Sequence, residues 1–220
     1  MIELKNVTKY YKTKKGKHFV FKNVSFTIPE KRNVAIIGRN GTGKSTLIRL
    51  LGKTDIPNEG EIITNKTISF PIGFSGGFQG SLTSSENIKF ICRVYGCNRE
   101  ETAEKIRFVR DFAEIGKYFD LPVSSYSSGM RARVAFGLSM AFDFDYYLAD
   151  EVLAVGDANF KEKSYKVFQE KREKANILLV AHSATVLRSM CDSAIVLKNN
   201  ELTFYDELEE GLKVYFSSLS

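Results

Sequence analysis

The chain has 220 residues, of which 43% are hydrophobic and 26% are charged, and its formal net charge is +6. This composition is typical of a globular protein and excludes a disordered one, and no run reaches the roughly 18 apolar residues of a membrane span. The positive charge is compatible with nucleic acid, phosphorylated ligands or an anionic membrane surface, and equally with solubility alone. Cys92, Cys97 and Cys191 match no metal or disulfide spacing, which indicates reduced thiols packed as small apolar side chains.

Strand-like patterns occupy the first part of the chain. Residues 2–7 and 18–28 alternate between apolar and polar side chains, with turn-forming residues at 14–17 and 29–32. The uninterrupted apolar run VAIIG at 34–38 is typical of a strand buried on both faces. We therefore expect the chain to begin with strands and turns.

The segment GRNGTGKST follows that buried run and fits the pattern G-x-x-x-x-G-K-[ST] from Gly38 to Ser45, just before a helical run at 45–52. Its glycines let backbone N–H groups surround phosphate oxygens, and the helix N-terminus adds positive potential. The Lys44 ammonium would neutralise the β- and γ-phosphates, and the Ser45 hydroxyl would bind Mg²⁺. The nucleotide contacts predicted from this segment are Gly38, Asn40, Gly41, Gly43, Lys44, Ser45 and Thr46.

A guanine-reading N-K-x-D motif argues for GTP where it occurs. The nearest match in this chain, NKTI at 65–68, lacks the aspartate. The sequence therefore disfavours GTP as the nucleotide.

The middle of the chain has a helical period. Thr83 and Glu86 have the spacing of a capping box, and residues 100–115 continue with apolar positions among charges. We expect a mainly helical segment, roughly residues 80–142, inserted in the α/β core of a single domain that spans residues 1–220.

Two polar stretches are suited to binding, one in the loop between the sheet and this helical insert and one within the insert. Gln79 lies in the glycine-rich loop GGFQGSL, where its amide can contact Mg²⁺ or a water molecule. The stretch YSSGMRARVAFGLSM at 126–140 opens with two serines and a glycine and continues as a basic helix. This second stretch has the character of an anion site, although no catalytic group adjoins it in sequence.

Short buried strands return in the last third, at 146–150, 176–182 and 194–198, separated by helical spans such as 160–174. Strands that alternate with helices predict a parallel α/β sheet. Open sheets of this kind bind ligands at the carboxyl ends of their strands.

Three polar residues follow two of these strands. Asp150 ends the first and is suited to hold the Mg²⁺ shell, directly or through water. Glu151 would point the other way, toward an attacking water. His182 follows the apolar run ILLVA at the carboxyl end of the second strand and would donate a hydrogen bond to the γ-phosphate.

The order of these motifs resembles that of the ATP-binding subunits of ABC transporters. The resemblance implies an α/β fold, a P-loop NTPase domain of the ABC type with a helical subdomain and an N-terminal antiparallel β subdomain. Two such cassettes dimerise head to tail in that family, and each signature closes over the ATP held by the other. By that resemblance, Ser127 and Gly129, which precede a helix expected to begin near Arg131, bind the γ-phosphate of the partner's ATP.

Further positions are assigned by the same resemblance. Tyr11 is similar to the aromatic residue that stacks on adenine, with Tyr10 as the competing choice, and Asp157 is similar to the aspartate that spans the dimer interface. Ser127 and Gly129 retain the family pattern. The chain departs from that pattern at Tyr126, Ser128 and Met130 of the signature and at Val152 after the catalytic glutamate.

The stretches around these motifs resemble the ATP-binding component of bacterial capsular polysaccharide exporters. The resemblance implies a homodimer that hydrolyses ATP with Mg²⁺. It also implies that the dimer binds separate transmembrane permease subunits at the cytoplasmic face of the inner membrane. The lipid-linked polysaccharide would be reached through the permease. Exporters of O-antigen and of wall teichoic acid remain alternatives. They often carry an extra C-terminal domain, and the end of this chain at Ser220 favours the capsular branch.

Other functional classes remain open at this point. The basic segment 9–18, with its interleaved tyrosines, would suit a soluble ABC ATPase that acts on nucleic acid or ribosomes, although a solvated turn explains the same residues and no nucleic acid is expected. A cassette that binds ATP without hydrolysing it is disfavoured because all the hydrolytic positions are filled.

Overall fold

The computed structural model describes residues 1–72, 77–150, 157–181 and 183–217. Its strands are β1 (Ile2–Thr13), β2 (Gly16–Ile28), β3 (Val34–Gly38), β4 (Glu59–Thr64), β5 (Tyr146–Asp150), β6 (Asn176–Val180), β7 (Ser193–Lys198) and β8 (Glu201–Tyr205). Its helices are α1 (Lys44–Leu51), α2 (Ser84–Val94), α3 (Arg99–Ala113), α4 (Ser128–Met140), α5 (Ala158–Arg172), α6 (Ala184–Met190) and α7 (Leu208–Ser217). Across these four ranges, no helix has both the length and the apolar character needed to cross a bilayer.

The chain divides into two compact units. One comprises the described parts of Met1–Pro71, Phe144–Glu151 and Lys174–Ser220, and it contains all eight strands together with α1, α6 and α7. The other comprises the described parts of Ile72–Asp143 and Val152–Glu173 and contains helices α2 to α5. We call them the sheet unit and the helical unit.

The sheet unit contains two sheets. Strands β2, β1 and β4 form an antiparallel sheet in that order, in which Tyr11 of β1 lies opposite His18 of β2. The second sheet has the order β5, β6, β3, β7, β8, of which the first four strands are parallel and β8 is an antiparallel edge strand. All five residues of β3 are buried, as expected for a central strand covered on both faces.

Helix α1 shares one hydrophobic core with both sheets. Its buried residues Leu47, Ile48, Leu50 and Leu51 belong to the same cluster as Val20 and Phe21 of β2 and the inward residues of β3, β5, β6 and β7. Because the phosphate loop joins β3 to α1, this core fixes both of its ends.

The helical unit is held together by an aromatic cluster. Phe112 of α3 stacks on Phe136 of α4, with ring centroids 5.6 Å apart, and meets Phe160 of α5 edge to face at 5.3 Å. Gly137 lets α3 and α4 approach closely, because a Cβ there would lie 3.1 Å from the ring of Phe112. The expected capping box is present, since Thr83 and Glu86 satisfy each other's backbone N–H groups at the start of α2.

Candidate functional site

The phosphate loop lies between the buried end of β3 and the start of α1. Gly41 and Gly43 have φ angles of 84° and 104°, a left-handed conformation that glycine adopts without a steric penalty. Gly43 is also the N-cap of α1 and has no side chain with which to cap it. The first N–H groups of α1 are thus oriented as donors to an anion, which the helix dipole also favours.

The side chain of Lys44 returns over this loop. Its Nζ donates to the carbonyl oxygen of Gly38 at 2.8 Å and to that of Arg39 at 3.1 Å. Thr42 ties the same turn, because its Oγ1 donates to Arg39 at 2.8 Å. The loop therefore presents backbone donors and one ammonium group within a single turn of chain.

A cavity of about 410 Å³ opens beside the loop, within the size range of small-molecule sites. Asp150 reaches it because β5 ends there, in register with Val180 of β6. The Ser45 hydroxyl and the Asp150 carboxylate are hard oxygen ligands of the kind that Mg²⁺ prefers, so these two residues fit that ion. The cavity is lined by Tyr11, His18, Val20, Asn40, Gly41, Gly43, Lys44, Ser45, Thr46, Asp150 and Val180.

The aromatic side chain of Tyr11 lines this cavity. The hydroxyl of Tyr11 donates to Asp55 at 3.0 Å, and Asp55 also accepts from the buried Lys9 ammonium at 2.6 Å. Burial raises the pKa of Asp55, but the hydrogen bonds from Lys9, Tyr11 and the Ile56 backbone outweigh it and hold that pKa below its usual value. The Asp55 carboxylate, which accepts the hydrogen bond of the Tyr11 hydroxyl, is thus kept ionised, and it holds Tyr11 in place.

The neighbouring Tyr10 belongs to a different surface. Its ring packs on Phe19 at a centroid distance of 5.3 Å and lies 4.2 Å from the Lys17 ammonium. It does not line the cavity, whereas His18, which the sequence did not single out, does so. The pairing of residue 11 with residue 18 across the β1–β2 hairpin is the signal that would have found His18.

Within the helical unit, Gln79 and the signature residues Ser127 and Gly129 are exposed. The Gln79 backbone is held by Asn87 of α2, whose Oδ1 accepts from the Gln79 N–H at 2.8 Å. Ser127 is the N-cap of α4, with its Oγ accepting from Met130 N at 3.2 Å, and Gly129 lies in the exposed first turn of the helix. The helix begins at Ser128 rather than near Arg131, so the two signature residues lie at its N-terminus, where an anion is stabilised.

Asp157 is the N-cap of α5 and belongs to the helical unit. Its carboxylate accepts from the Phe160 N–H at 3.0 Å and from Arg133 of α4 at 2.5 Å. The Phe160 N–H and then the Arg133 charge hold the pKa of Asp157 below its usual value. The guanidinium of Arg133 also lies 4.5 Å from the Phe160 ring, so it joins the signature helix to the start of α5.

Two predicted catalytic residues lie outside the described residues: Glu151, the general base, and His182, which would donate a hydrogen bond to the γ-phosphate. Val152 lies outside them as well. The strands that lead to Glu151 and His182 are described up to the preceding positions, Asp150 and Ala181. Their assigned roles therefore stay predictions.

A family model and two curated relatives of this chain point to the same protein family. The ABC transporter family model matches residues 21–154. The polysialic acid transport ATP-binding protein KpsT of Escherichia coli is 55% identical over 98% of this chain and 96% of its own. The capsule polysaccharide export ATP-binding protein CtrD of Neisseria meningitidis serogroup B is 43% identical over 99% of each chain.

A solved structure agrees in fold. The dimeric, post-hydrolysis structure of the ATP-binding cassette MJ0796 bound to ADP and phosphate has a TM-score of 0.74 and 26% identity, and it covers 94% of this chain and 99% of that one. The predicted α/β fold, with an N-terminal antiparallel sheet and a helical part, is confirmed. The chain therefore belongs to the ABC transporter family, as an ATP-binding cassette similar to the ATP-binding proteins of capsular polysaccharide export.

Proposed function

We propose that the chain is the ATP-hydrolysing subunit of an ABC exporter that moves a lipid-linked capsular polysaccharide across the inner membrane. The observation that carries the nucleotide part is the cavity in which the phosphate loop, Ser45 and Asp150 meet at one sheet edge. The cargo part is supported by relatives named for polysialic acid and capsule polysaccharide export, which align over almost the whole chain.

In this proposal the residues of the cavity have separate tasks. Tyr11 stacks on adenine, and the backbone donors of the loop bind the phosphates while Lys44 neutralises their charge. Ser45 and Asp150 would hold Mg²⁺, which neutralises developing phosphate charge when bound. Glu151 takes a proton from the attacking water, and His182 donates to the γ-phosphate.

The proposed catalytic state is a head-to-tail dimer. Ser127 and Gly129, at the N-terminus of α4, close over the γ-phosphate of the ATP held by the other copy. Asp157 crosses the same interface, held in place by its N-capping bond and by Arg133. The MJ0796 cassette, which is dimeric in a post-hydrolysis state, supports the proposal of a dimer.

A separate permease is the proposed membrane partner, and the docking surface is the Gln79 loop together with α2. Phe90 and Val94 of this helix are 58% and 66% exposed, beside the exposed cations Lys89 and Arg93. Apolar anchors with flanking charges are typical of a protein-binding surface. The chain would thus lie at the cytoplasmic face of the inner membrane through its permease. The role of Gln79 at the metal or water stays a prediction.

Gene deletion with complementation tests the proposal. Wild-type protein and Glu151→Gln are expressed at matched levels in the deletion strain, surface polysaccharide is followed by electrophoresis, and the cytoplasmic pool is measured after extraction. We expect polymer to accumulate inside and only the wild type to restore export. Unchanged surface and internal polymer would show that the cargo is wrong, and chemical typing of any retained polymer distinguishes capsule from O-antigen or teichoic acid.

A further inference from the structure

The end of α2 brings two cysteines together. The Cys97 N–H donates to the Cys92 carbonyl at 2.9 Å, and the Gly96 N–H donates to Arg93 at 3.2 Å. Gly96 has φ of 71°, so the three features form a Schellman motif, in which the side chains at Cys92 and Cys97 lie against each other. The two thiols are near enough to interact, since the Cys97 thiol adds to the raised pKa of the Cys92 thiol.

The two thiols differ in access. Cys92 is fully buried, whereas Cys97 is partly exposed and lines a cavity of about 470 Å³. Burial raises the pKa of the Cys92 thiol to about 11, and the Cys97 thiol adds to this, while the Thr102 hydroxyl and the Lys105 ammonium of α3 oppose it. Cys97 is therefore the thiol that an external reagent meets first.

The cavity beside Cys97 is positively charged. Lys89, Arg93 and Arg99 line it, and no carboxylate does so among the described residues. Three cations around one accessible thiol attract small anions, do not attract neutral reagents and repel cationic ones. Apolar and hydroxyl groups of α3, at Thr102 and Ile106, complete the wall.

We propose that Cys97 and Cys92 form a thiol-exchange site for a small, carboxylate-bearing disulfide such as glutathione disulfide. The Cys97 thiol loses its proton to water and attacks one sulfur of the reagent, whose S–S bond breaks to release one thiol as a mixed disulfide forms on Cys97. Cys92 then loses its proton and attacks the Cys97 sulfur, which releases the second thiol. Two protein thiols are oxidised, and one small disulfide is reduced to two thiols.

The test follows the three cysteines of the purified full-length chain during incubation with glutathione disulfide. Samples are quenched in acid and mapped by peptide mass spectrometry. We expect a mixed disulfide on Cys97 first and a Cys92–Cys97 disulfide later, with Cys191, which is 8% exposed, modified many-fold more slowly. Cys92→Ala should stop at the mixed disulfide, and Cys97→Ser should leave Cys92 reduced.

The charge requirement has its own comparison. Hydroxyethyl disulfide, which is neutral, should thiolate Cys97 several-fold more slowly than glutathione disulfide does, after each rate is divided by the rate on a small free thiol. Arg93→Gln with Arg99→Gln should remove that preference, whereas Lys12→Gln on β1 should keep it, and melting curves check that each variant is folded.

Either of two results on the wild-type chain would overturn the proposal. One is Cys191 reacting as fast as Cys97, and the other is equal corrected rates for the two reagents. A mixed disulfide that never gives way to a Cys92–Cys97 bond would disprove the second step.

Discussion

Gly41 and Gly43 have the same left-handed backbone but different surroundings. An added Cβ at Gly41 meets no described atom within 4 Å, whereas at Gly43 it would lie 3.0 Å from the Phe21 ring and closer still to Val20. We expect Gly41→Ala to lower the free energy of unfolding by about 1–2 kcal/mol through backbone strain alone. Gly43→Ala should lower it by about 1–3 kcal/mol more because β2 must shift.

Urea unfolding of the two variants beside the wild type measures this difference. Equal losses for the two alanines would mean that β2 does not constrain the phosphate loop.

Tyr11 and Tyr10 offer a matched comparison for adenine stacking. Tyr11→Ala should weaken ATP binding by about tenfold, because one base–aromatic stack contributes about 1–3 kcal/mol. Tyr11→Phe should keep most of the affinity, since it keeps the ring and removes only the hydrogen bonds of the hydroxyl with Asp55 and Arg49. Tyr10→Ala should change little, because Tyr10 packs on Phe19 away from the cavity.

Fluorescence titration with a labelled ATP analogue, competed by ATP, reports all three dissociation constants. A larger loss for Tyr10→Ala than for Tyr11→Ala would reverse the assignment.

At the residue scale, the sequence predicts what is local. Lys44, Ser45 and Asp150 were placed from a motif and a strand end, and all three line one cavity. His18 was not found, because a single histidine on an exposed strand carries no pattern until the hairpin register places it opposite Tyr11. Its position depends on pairing between strands.

Among the elements, α4 gives a paired test of the signature. Ser127→Ala removes the N-cap bond to Met130 and should lower the free energy of unfolding by about 1 kcal/mol. It should also lower the ATPase rate while leaving ATP affinity of the monomer intact, because the proposed phosphate contact belongs to the other copy. Ser128→Ala, one residue inside the helix, should preserve stability.

Chemical unfolding and steady-state phosphate release, measured on both variants, separate the two effects. An ATPase rate that follows stability alone would assign Ser127 to helix capping only.

Elements buried on both faces were the most predictable. The strands at 34–38 and 146–150 are confirmed to the residue, because continuous apolar runs identify central strands. Strands β4 and β8 were missed because each is short, half exposed and dependent on a neighbouring strand for pairing. The start of α4 was predicted too late, because serine and glycine have low intrinsic helix propensity.

The assembled molecule offers a different prediction. Glu151→Gln should bind ATP and then remain dimeric, since the closed state is expected to reopen only after hydrolysis. Light scattering after gel filtration should give a monomer without nucleotide and a dimer with Mg²⁺ and ATP, whereas wild type with ATP should return to monomer.

Lys44→Ala, which lacks the phosphate-binding ammonium, is the matched control and should stay monomeric throughout. A dimer that forms equally in Lys44→Ala would not depend on nucleotide.

The division of the whole chain was only partly accessible to sequence. A helical segment at roughly 80–142 was expected from its period, and helices α2, α3 and α4 lie within it. That α5 also joins the helical unit depends on Phe160 meeting Phe112 and Phe136. Such contacts between distant aromatic residues have no signature in the linear pattern.

Strand β3 can pair with its neighbours only late in the synthesis of the chain. Both of its neighbours, β6 and β7, come from the last quarter of the chain. While the chain is still on the ribosome, the strand that leads into the phosphate loop therefore has exposed apolar faces and unpaired edges for most of translation. This cassette should therefore depend on chaperones until β7 has emerged and can pair with β3.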